Sequence, residues 1–234
     1  MANENFDPPP AEQLERAPRP KDAATLVMVR RDGAKPRVLM GQRARGHVFM
    51  PNKWVFPGGR VERADAIAPA ASELSDDAET RLADGNVRRK PRAFALAAVR
   101  ETFEETGLVV GREGGAHGPF PAEWGDYGKH HAAPELAKFA FICRAITPPH
   151  RARRFDARFF FAEAEEILLD DKPRLENDEL LHIKWFEFEE AQALDLPSVT
   201  RFVIGEVKKR LDGETPEPQF LRWQRGAKLR PELR

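Results

Sequence analysis

Phe94-Ala-Leu-Ala-Ala-Val-Arg100-Glu101-Thr102-Phe103-Glu104-Glu105-Thr106-Gly107-Leu108 is the stretch that decides how this chain is read. Its pattern predicts a helix from Phe94 to Thr106, with Gly107 as the C-terminal stop, since glycine readily takes the left-handed backbone that closes many helices. At 100° per residue, Glu101, Glu104 and Glu105 share about a third of the circumference, because residues three and four apart are neighbours. Leu96, Val99 and Phe103 form a stripe almost opposite, suited to a core. Three carboxylates on one face repel each other, and a hard divalent cation with oxygen ligands would relieve that repulsion. Taken alone, the triplet also reads as a solvated acidic face, with Arg100 and Glu104 in an ordinary i, i+4 pair worth about 0.3 kcal/mol. Upstream, Phe56-Pro57-Gly58-Gly59 favours the cation, because paired glycines let backbone groups approach a ligand closely.

Around this helix the pattern alternates. Ala23 to Met28 is a short apolar, β-branched run, Asp32-Gly33 marks a turn, and Arg37 to Met40 reads as the second strand of a hairpin. Trp54 to Gly59 is a third short apolar segment. Residues 66–92 are polar and alanine-rich, with a short helix expected around Leu74 to Leu82. Beyond a loop at 111–133, Pro134 to Ile146 is expected to be helical, Ala157 to Ala162 and Leu180 to Phe186 to be strands, and Phe188 to Leu194 and Val199 to Leu211 to be helices. This interleaving predicts one α/β domain over residues 22–212, flanked by a proline-rich N-terminal arm (1–21) and a basic C-terminal arm (213–234).

Composition excludes several classes. The 234 residues carry 38 Lys+Arg against 38 Asp+Glu, a formal net charge of zero, which argues against a general nucleic-acid coat or a polybasic membrane binder. No apolar run approaches the roughly 18 residues of a membrane span, and no hydrophobic signal segment follows Met1, so a cytoplasmic protein is expected. The single cysteine, Cys143, can form neither an internal disulfide nor a zinc cluster, and reads as a buried small residue. His130 and His131 belong to no His-Glu-x-x-His pair, and no Gly-x-Ser-x-Gly elbow or Gly-Lys-Ser/Thr phosphate loop occurs.

The arrangement Gly59…Arg100-Glu101-x-x-Glu104-Glu105-x-Gly107-Leu108 resembles the Nudix box, the signature of Nudix hydrolases. In that box a glycine is followed by five residues, a glutamate, seven residues, and then Arg-Glu-aliphatic-x-Glu-Glu-x-Gly-aliphatic. The second half matches, with Thr102 in the aliphatic slot. Two departures stand out. Asp65 falls where the box has glutamate, and 34 residues (66–99) separate it from Arg100 instead of seven. A polar insertion of that size, at about 66–92, is tolerable because loop-closure entropy grows only logarithmically with length. It is either a cover for the substrate site or a surface decoration. His47 to Gly59, the insertion, and Thr147-Pro together with Arg153-Arg154-Phe155-Asp156-Ala157-Arg158-Phe159-Phe160 further resemble the peroxisomal coenzyme A diphosphatase type and its bacterial relatives.

That resemblance implies an α/β/α sandwich with a mixed sheet, and metal-dependent hydrolysis of a diphosphate in a nucleotide derivative, with coenzyme A or acyl-coenzyme A as best guess. ADP-ribose, a dinucleotide or a nucleoside triphosphate are alternatives, as is a non-catalytic nucleotide-binding module. It implies Mg²⁺ or Mn²⁺ held by Gly59, Glu101, Glu104 and Glu105, with Arg100, Gly58 and Gly107 as structural support. The general base would be Glu104, Glu105 or Glu179, the last also reading as an exposed loop acid. Arg43, Arg153, Arg154 and Arg158 would clamp phosphate, unless those at 153 and 154 belong to a solvated turn. A small-molecule nucleotide is the expected partner, with no stable nucleic acid, no membrane and a homodimer as an option through either arm.

Overall fold

The computed structural model describes residues 17–46, 50–83, 89–114, 118–149, 151–174 and 179–222, and the backbone of 230–232. The N-terminal arm up to residue 16, residues 84–88 of the insertion and His47 to Phe49 lie outside the described residues. A nine-stranded mixed sheet forms the centre. Its strands are β1 (Lys21–Arg30), β2 (Arg37–Arg43), β3 (Trp54–Val55), β4 (Gly58–Arg60), β7 (Ala140–Ile146), β8 (Phe155–Glu163), β9 (Leu180–Glu187), β10 (Gln219–Arg222) and β11 (Arg230–Glu232). The order is β11-β10-β7-β8-β1-β2-β3, with β4 also on β1 and β9 also on β2. Short β5 (Arg112–Glu113) and β6 (Ala132–Ala133) make a separate ladder.

β1 is buried on both faces, which is why it reads as a continuous apolar run rather than an alternation. Ala24, Leu26 and Met28 face one core, Val27 and Val29 the other. The first core is covered by α2 (Pro91–Thr106), whose alanines Ala93, Ala95, Ala97 and Ala98 are all buried. A single turn after β8, α3 (Ala164–Ile167), adds Ile167 to the same core. The second core lies under α4 (Phe188–Ala193) and α5 (Ser198–Leu211), through Ala191, Val203, Ile204 and Val207. Helices on both faces of a mixed sheet give the α/β/α sandwich expected from the sequence. No helix among the described residues is long and apolar enough to cross a membrane.

One segment differs in kind. Pro134 to Ile146 is not a helix: a 3₁₀ turn at Leu136–Lys138 leads into strand β7, paired antiparallel with β8. A register shift between Phe141 and Cys143 breaks the strict alternation that marks a strand, and burial of Ile142 and Cys143 side by side removes the rest of the signal. Cys143 is buried as expected, but on a strand. Within the C-terminal stretch, β10 joins the main sheet parallel to β7.

The insertion is folded. Its helix α1 (Asp76–Ala83) buries Ala78 and Leu82 in the same core as α2, together with Leu74. Arg92 donates to the carbonyls of Ala66 and Ala68 and pairs with Glu73, so the ends of the segment are clipped to the start of α2.

Candidate active site

The site forms where the last two turns of α2 meet β4. Gly107 ends the helix with φ of 70°, and its N–H donates to the Phe103 carbonyl at 2.8 Å. Glu105 is 3% exposed, and its Oε2 accepts the Gly58 N–H at 2.7 Å. A Cβ at Gly59 would meet the Glu101 carboxylate, so any larger residue there would displace that side chain. That carboxylate therefore lies directly against bare backbone.

Arg100 ties the cluster together with all five of its donors. Nε and Nη2 grip Asp65 at 2.8 and 3.1 Å, Nη2 also reaches the Arg60 carbonyl at 2.8 Å, and Nη1 bridges Glu101 and Glu104 at 3.0 and 3.1 Å. Asp65 is fully buried and also accepts the Glu62 N–H at 2.7 Å. The carboxylate that opens the insertion thus holds the arginine that organises the glutamates.

Burial disfavours charge on the acids. It pushes Glu105 up to about 8, with the charges of Glu101 and Glu179 adding and Arg43 and the Gly58 N–H opposing. Burial likewise raises Glu101 to about 7 against the pull of Arg100, and raises Glu104. For Arg100, burial would lower the pKa, but its bond to Asp65 and the surrounding carboxylates outweigh that and hold it charged.

A divalent cation fits this donor set. Several oxygens stand close together, their negative charge undercompensated in a buried place, beside backbone that carries no side chain. Among the described residues no three His, Cys, Asp or Glu side chains are already gathered in a metal-holding arrangement; Arg100 Nη1 bridges two of the glutamates instead.

The glutamates open into a cavity of about 540 Å³, within the usual size range for small-molecule sites. Its floor is a row of small residues, Ala23, Ala157 and Ala145, on three adjacent strands. Arg43 and Glu179 also line it. They come together through the β2–β9 pairing, in which Arg43 faces Leu180 and the Ala44 N–H donates to the Glu179 carbonyl at 3.2 Å.

This geometry has relatives. A Nudix hydrolase from Alicyclobacillus acidocaldarius matches with a TM-score of 0.57 and 29% identity, over 80% of this chain and 90% of its own. The homologues and structural neighbours of this chain are Nudix hydrolases. A Caenorhabditis elegans protein named as nudix hydrolase 7 is 29% identical over 184 residues, 71% of this chain and 51% of that one. The acyl-coenzyme A diphosphatase NUDT19 of Gallus gallus is 30% identical over 178 residues, 53% of this chain and 47% of that one. The chain spans about half the length of the curated relatives it matches. No protein-family model matches the chain.

Within this Nudix-like frame, the residues picked from sequence divide. Gly58, Gly59, Arg100, Glu101, Glu104 and Glu105 come together, with Arg43, Glu179 and Arg153 around the same cavity. Arg154 and Arg158 do not line it. Arg154 donates to the carbonyls of Thr147 and Pro18, while Arg158, 2% exposed, pairs with Asp156 and lies 4.3 Å above the Phe94 ring. Strand alternation foreshadows this: Ala157 and Phe159 line the cavity, so Arg158 points through the opposite face. Arg151 lines the cavity and is absent from the set picked from sequence; its place on a turn, two residues from Arg153, is the signal that could have found it. No described residue of the 66–92 insertion lines the cavity, so those residues brace the site rather than cover it.

Proposed function

We propose that this chain hydrolyses a diphosphate linkage in a nucleotide derivative, with coenzyme A or an acyl-coenzyme A as the substrate, in the presence of Mg²⁺ or Mn²⁺. The observation that carries the reading is the packing of Glu101 and Glu105 on the Gly58-Gly59 backbone at the head of a mostly apolar cavity. Support for the substrate comes from the chicken relative, an acyl-coenzyme A diphosphatase by name.

Glu101, Glu104, Glu105 and the Gly59 carbonyl would hold the cation. When bound, the metal supplies charge neutralisation for the diphosphate and a lowered pKa for a water molecule. The chain's own groups do the rest. Arg100, fixed by Asp65, keeps the glutamates in register. Arg43, close enough to Glu105 to oppose its rise in pKa, contributes positive charge where the phosphates would lie. Glu179, whose charge is felt by both Glu104 and Glu105, is the candidate to take a proton from the attacking water.

The test is a turnover assay on coenzyme A, acyl-coenzyme A, ADP-ribose, NADH, diadenosine polyphosphates and nucleoside triphosphates, with Mg²⁺, Mn²⁺ or EDTA and products identified by mass spectrometry. Metal-dependent release of 3′,5′-ADP and phosphopantetheine from coenzyme A is the expected result. Cleavage of another diphosphate alone would retain the reaction and replace the substrate. No turnover with any metal would remove the enzymatic reading.

A further inference from the structure

The two helices on the second core begin differently. α4 closes its own first turn, with Glu187 and Glu190 in a reciprocal capping box. α5 does not: its N-cap is Pro197, which has no side-chain oxygen, and its first turn holds no acidic residue. Its first backbone bond runs from the Arg201 N–H to the Pro197 carbonyl at 3.0 Å, so the N–H groups of Ser198, Val199 and Thr200 find no acceptor among the described residues. Residues 197–200 all line the cavity. Three backbone donors and the positive end of a 14-residue helix therefore border the same space as the glutamates.

Thr200 gives an independent sign of a ligand. It is 4% exposed, and its hydroxyl makes no hydrogen bond to any described residue. Thr102 and Thr106, buried on α2, use their hydroxyls on the carbonyls four residues back, at 2.7 and 2.6 Å. Thr200 makes no such bond to Leu196. Nor is its hydroxyl sealed in the core, as Trp124 Nε1 and Glu206 Oε2 are; the surface it keeps is cavity wall. Buried polar groups normally have a partner, and here the partner has to come from the cavity. Ser198, exposed in the same wall, adds a second hydroxyl.

Sheet register relates this turn to the glutamates. Thr200 opens the inward stripe of α5 that continues with Val203, Ile204 and Val207, and these share a core with Val27 and Phe159. Phe159 also lines the cavity, so core and cavity meet there. Phe159 pairs with Thr25, and Thr25 with Gly58, whose N–H is held by Glu105. That row makes two inter-strand steps of about 4.8 Å, roughly 10 Å between the α5 end and the glutamate end. A divalent ion, two linked phosphoryl groups and one hydrogen bond fill a span of this size.

We propose that the first turn of α5, with the hydroxyls of Thr200 and Ser198, is an oxyanion subsite that holds the reacting diphosphate by the phosphoryl group turned away from the glutamates. The subsite rests on the diphosphatase reading above and gives the second phosphoryl group its partner. Backbone N–H groups at a helix start suit this task, because they point at the ligand and the dipole favours negative charge there. What they recognise is the diphosphate itself, so the subsite serves every diphosphate substrate alike, whatever groups it joins.

Titration calorimetry on the full chain in Mg²⁺ tests it, with α,β-methylene-ADP, a diphosphate analogue whose bridge cannot be hydrolysed, and adenosine as the uncharged control. Thr200→Val keeps the shape and removes the hydroxyl, whereas Thr200→Ser keeps the hydroxyl. Ser198→Ala removes one hydroxyl, and Ser198→Pro removes the backbone N–H as well, at a first-turn position that tolerates proline. Wild type is expected to bind the analogue more tightly than adenosine. Thr200→Val and Ser198→Pro should each weaken the analogue about tenfold, Ser198→Ala less than Ser198→Pro, and Thr200→Ser by no more than about twofold, with adenosine unchanged throughout. Wild-type affinity for the analogue in Thr200→Val and Ser198→Pro would overturn the subsite. So would Thr200→Ser as weak as Thr200→Val, or adenosine weakened in step with the analogue, since both mark lost packing. In turnover, the weakened variants should raise KM by a common factor for every diphosphate that wild type cleaves; a rise confined to one substrate would assign the turn to an attached group and overturn the proposal. If wild type cleaves none, the diphosphatase reading fails on its own, and the analogue's affinities still decide the subsite.

Discussion

Glu105 carries a conflict that the fold alone does not resolve. It is buried, receives one backbone N–H, and is pushed up to about 8, while Glu101 beside it rises to about 7. In the unfolded chain both would titrate near the ordinary glutamate value, about 4.3. Between these limits the folded metal-free protein binds more protons than the unfolded one, so its stability falls as pH rises. The metal-free protein is therefore expected to have its highest Tm contribution from this pair near pH 4 to 5 and to lose it progressively up to about pH 8. Added Mg²⁺ or Mn²⁺ should raise Tm more at pH 8 than at pH 5, because a cation favours the ionised form. Thermal melts in EDTA and in metal across this range are the check, and a metal-induced rise independent of pH would contradict it. Glu105→Gln can still accept the Gly58 N–H through its amide oxygen, so it should fold, flatten the pH dependence and lose turnover on the order of 10²–10⁴-fold. A variant that keeps wild-type turnover would remove Glu105 from the chemistry. Glu179→Gln separates the remaining role: as the proton acceptor it should lower kcat by about 10²-fold or more with little change in the Tm rise produced by metal.

At the scale of elements, α2 and the insertion depend on one another. Asp65 is fully buried and Arg100 is 5% exposed at its side chain, so removing the carboxylate strands a guanidinium among other acids. Asp65→Ala is expected to cost about 3–5 kcal/mol in urea unfolding, the range for breaking a buried pair on one side. Leu82→Ala, on α1, tests the bracing role from the other end. It should cost about 2–4 kcal/mol by removing a side chain 2% exposed in the main core, while KM stays at its wild-type value. A large change in KM would instead make the insertion part of the substrate site. The helix, its glycine stop and the glycine pair are legible in the sequence because each depends on neighbours in the chain. The count of five residues that the resemblance supplies arrives at Asp65 only as a departure from the box; that its carboxylate grips Arg100 across the insertion is a tertiary contact no local pattern records. Strand β7 escapes such reading because a shift in register and the side-by-side burial of Ile142 and Cys143 erase its alternation. Arg43 and Glu179 can be found singly, but their adjacency comes from the pairing of β2 with β9, which no local pattern records.

Across the whole molecule, the sheet is wider than the elements between Lys21 and Leu211 alone would make it. Strand β10 adds parallel to β7, with Leu221 2% exposed in the core beneath α5, and β11 pairs with β10 in turn. Arg210, on the last turn of α5, donates to the carbonyls of Glu206 and Pro216, and Arg81 of α1 pairs with Glu217. The segment after α5 is thereby fastened to both helical layers. β7 carries Ala145 and Ile146 of the cavity wall, so what lies on its outer edge bears on the site as well as on solubility. A chain ending at Gly213 would leave that edge with unpaired backbone donors and acceptors, which is a template for pairing with another molecule. Such a truncation is expected to lower Tm by several degrees, as about 1–2 kcal/mol lost from a domain of this size implies. It should also self-associate as concentration rises, and raise KM through a less firmly held cavity wall. Differential scanning calorimetry, light scattering against concentration and kinetics on the same preparation would read all three. A truncated chain that melts with wild type and stays monomeric would show β7 to be a sufficient edge by itself, with β10 riding on a sheet already closed to further pairing.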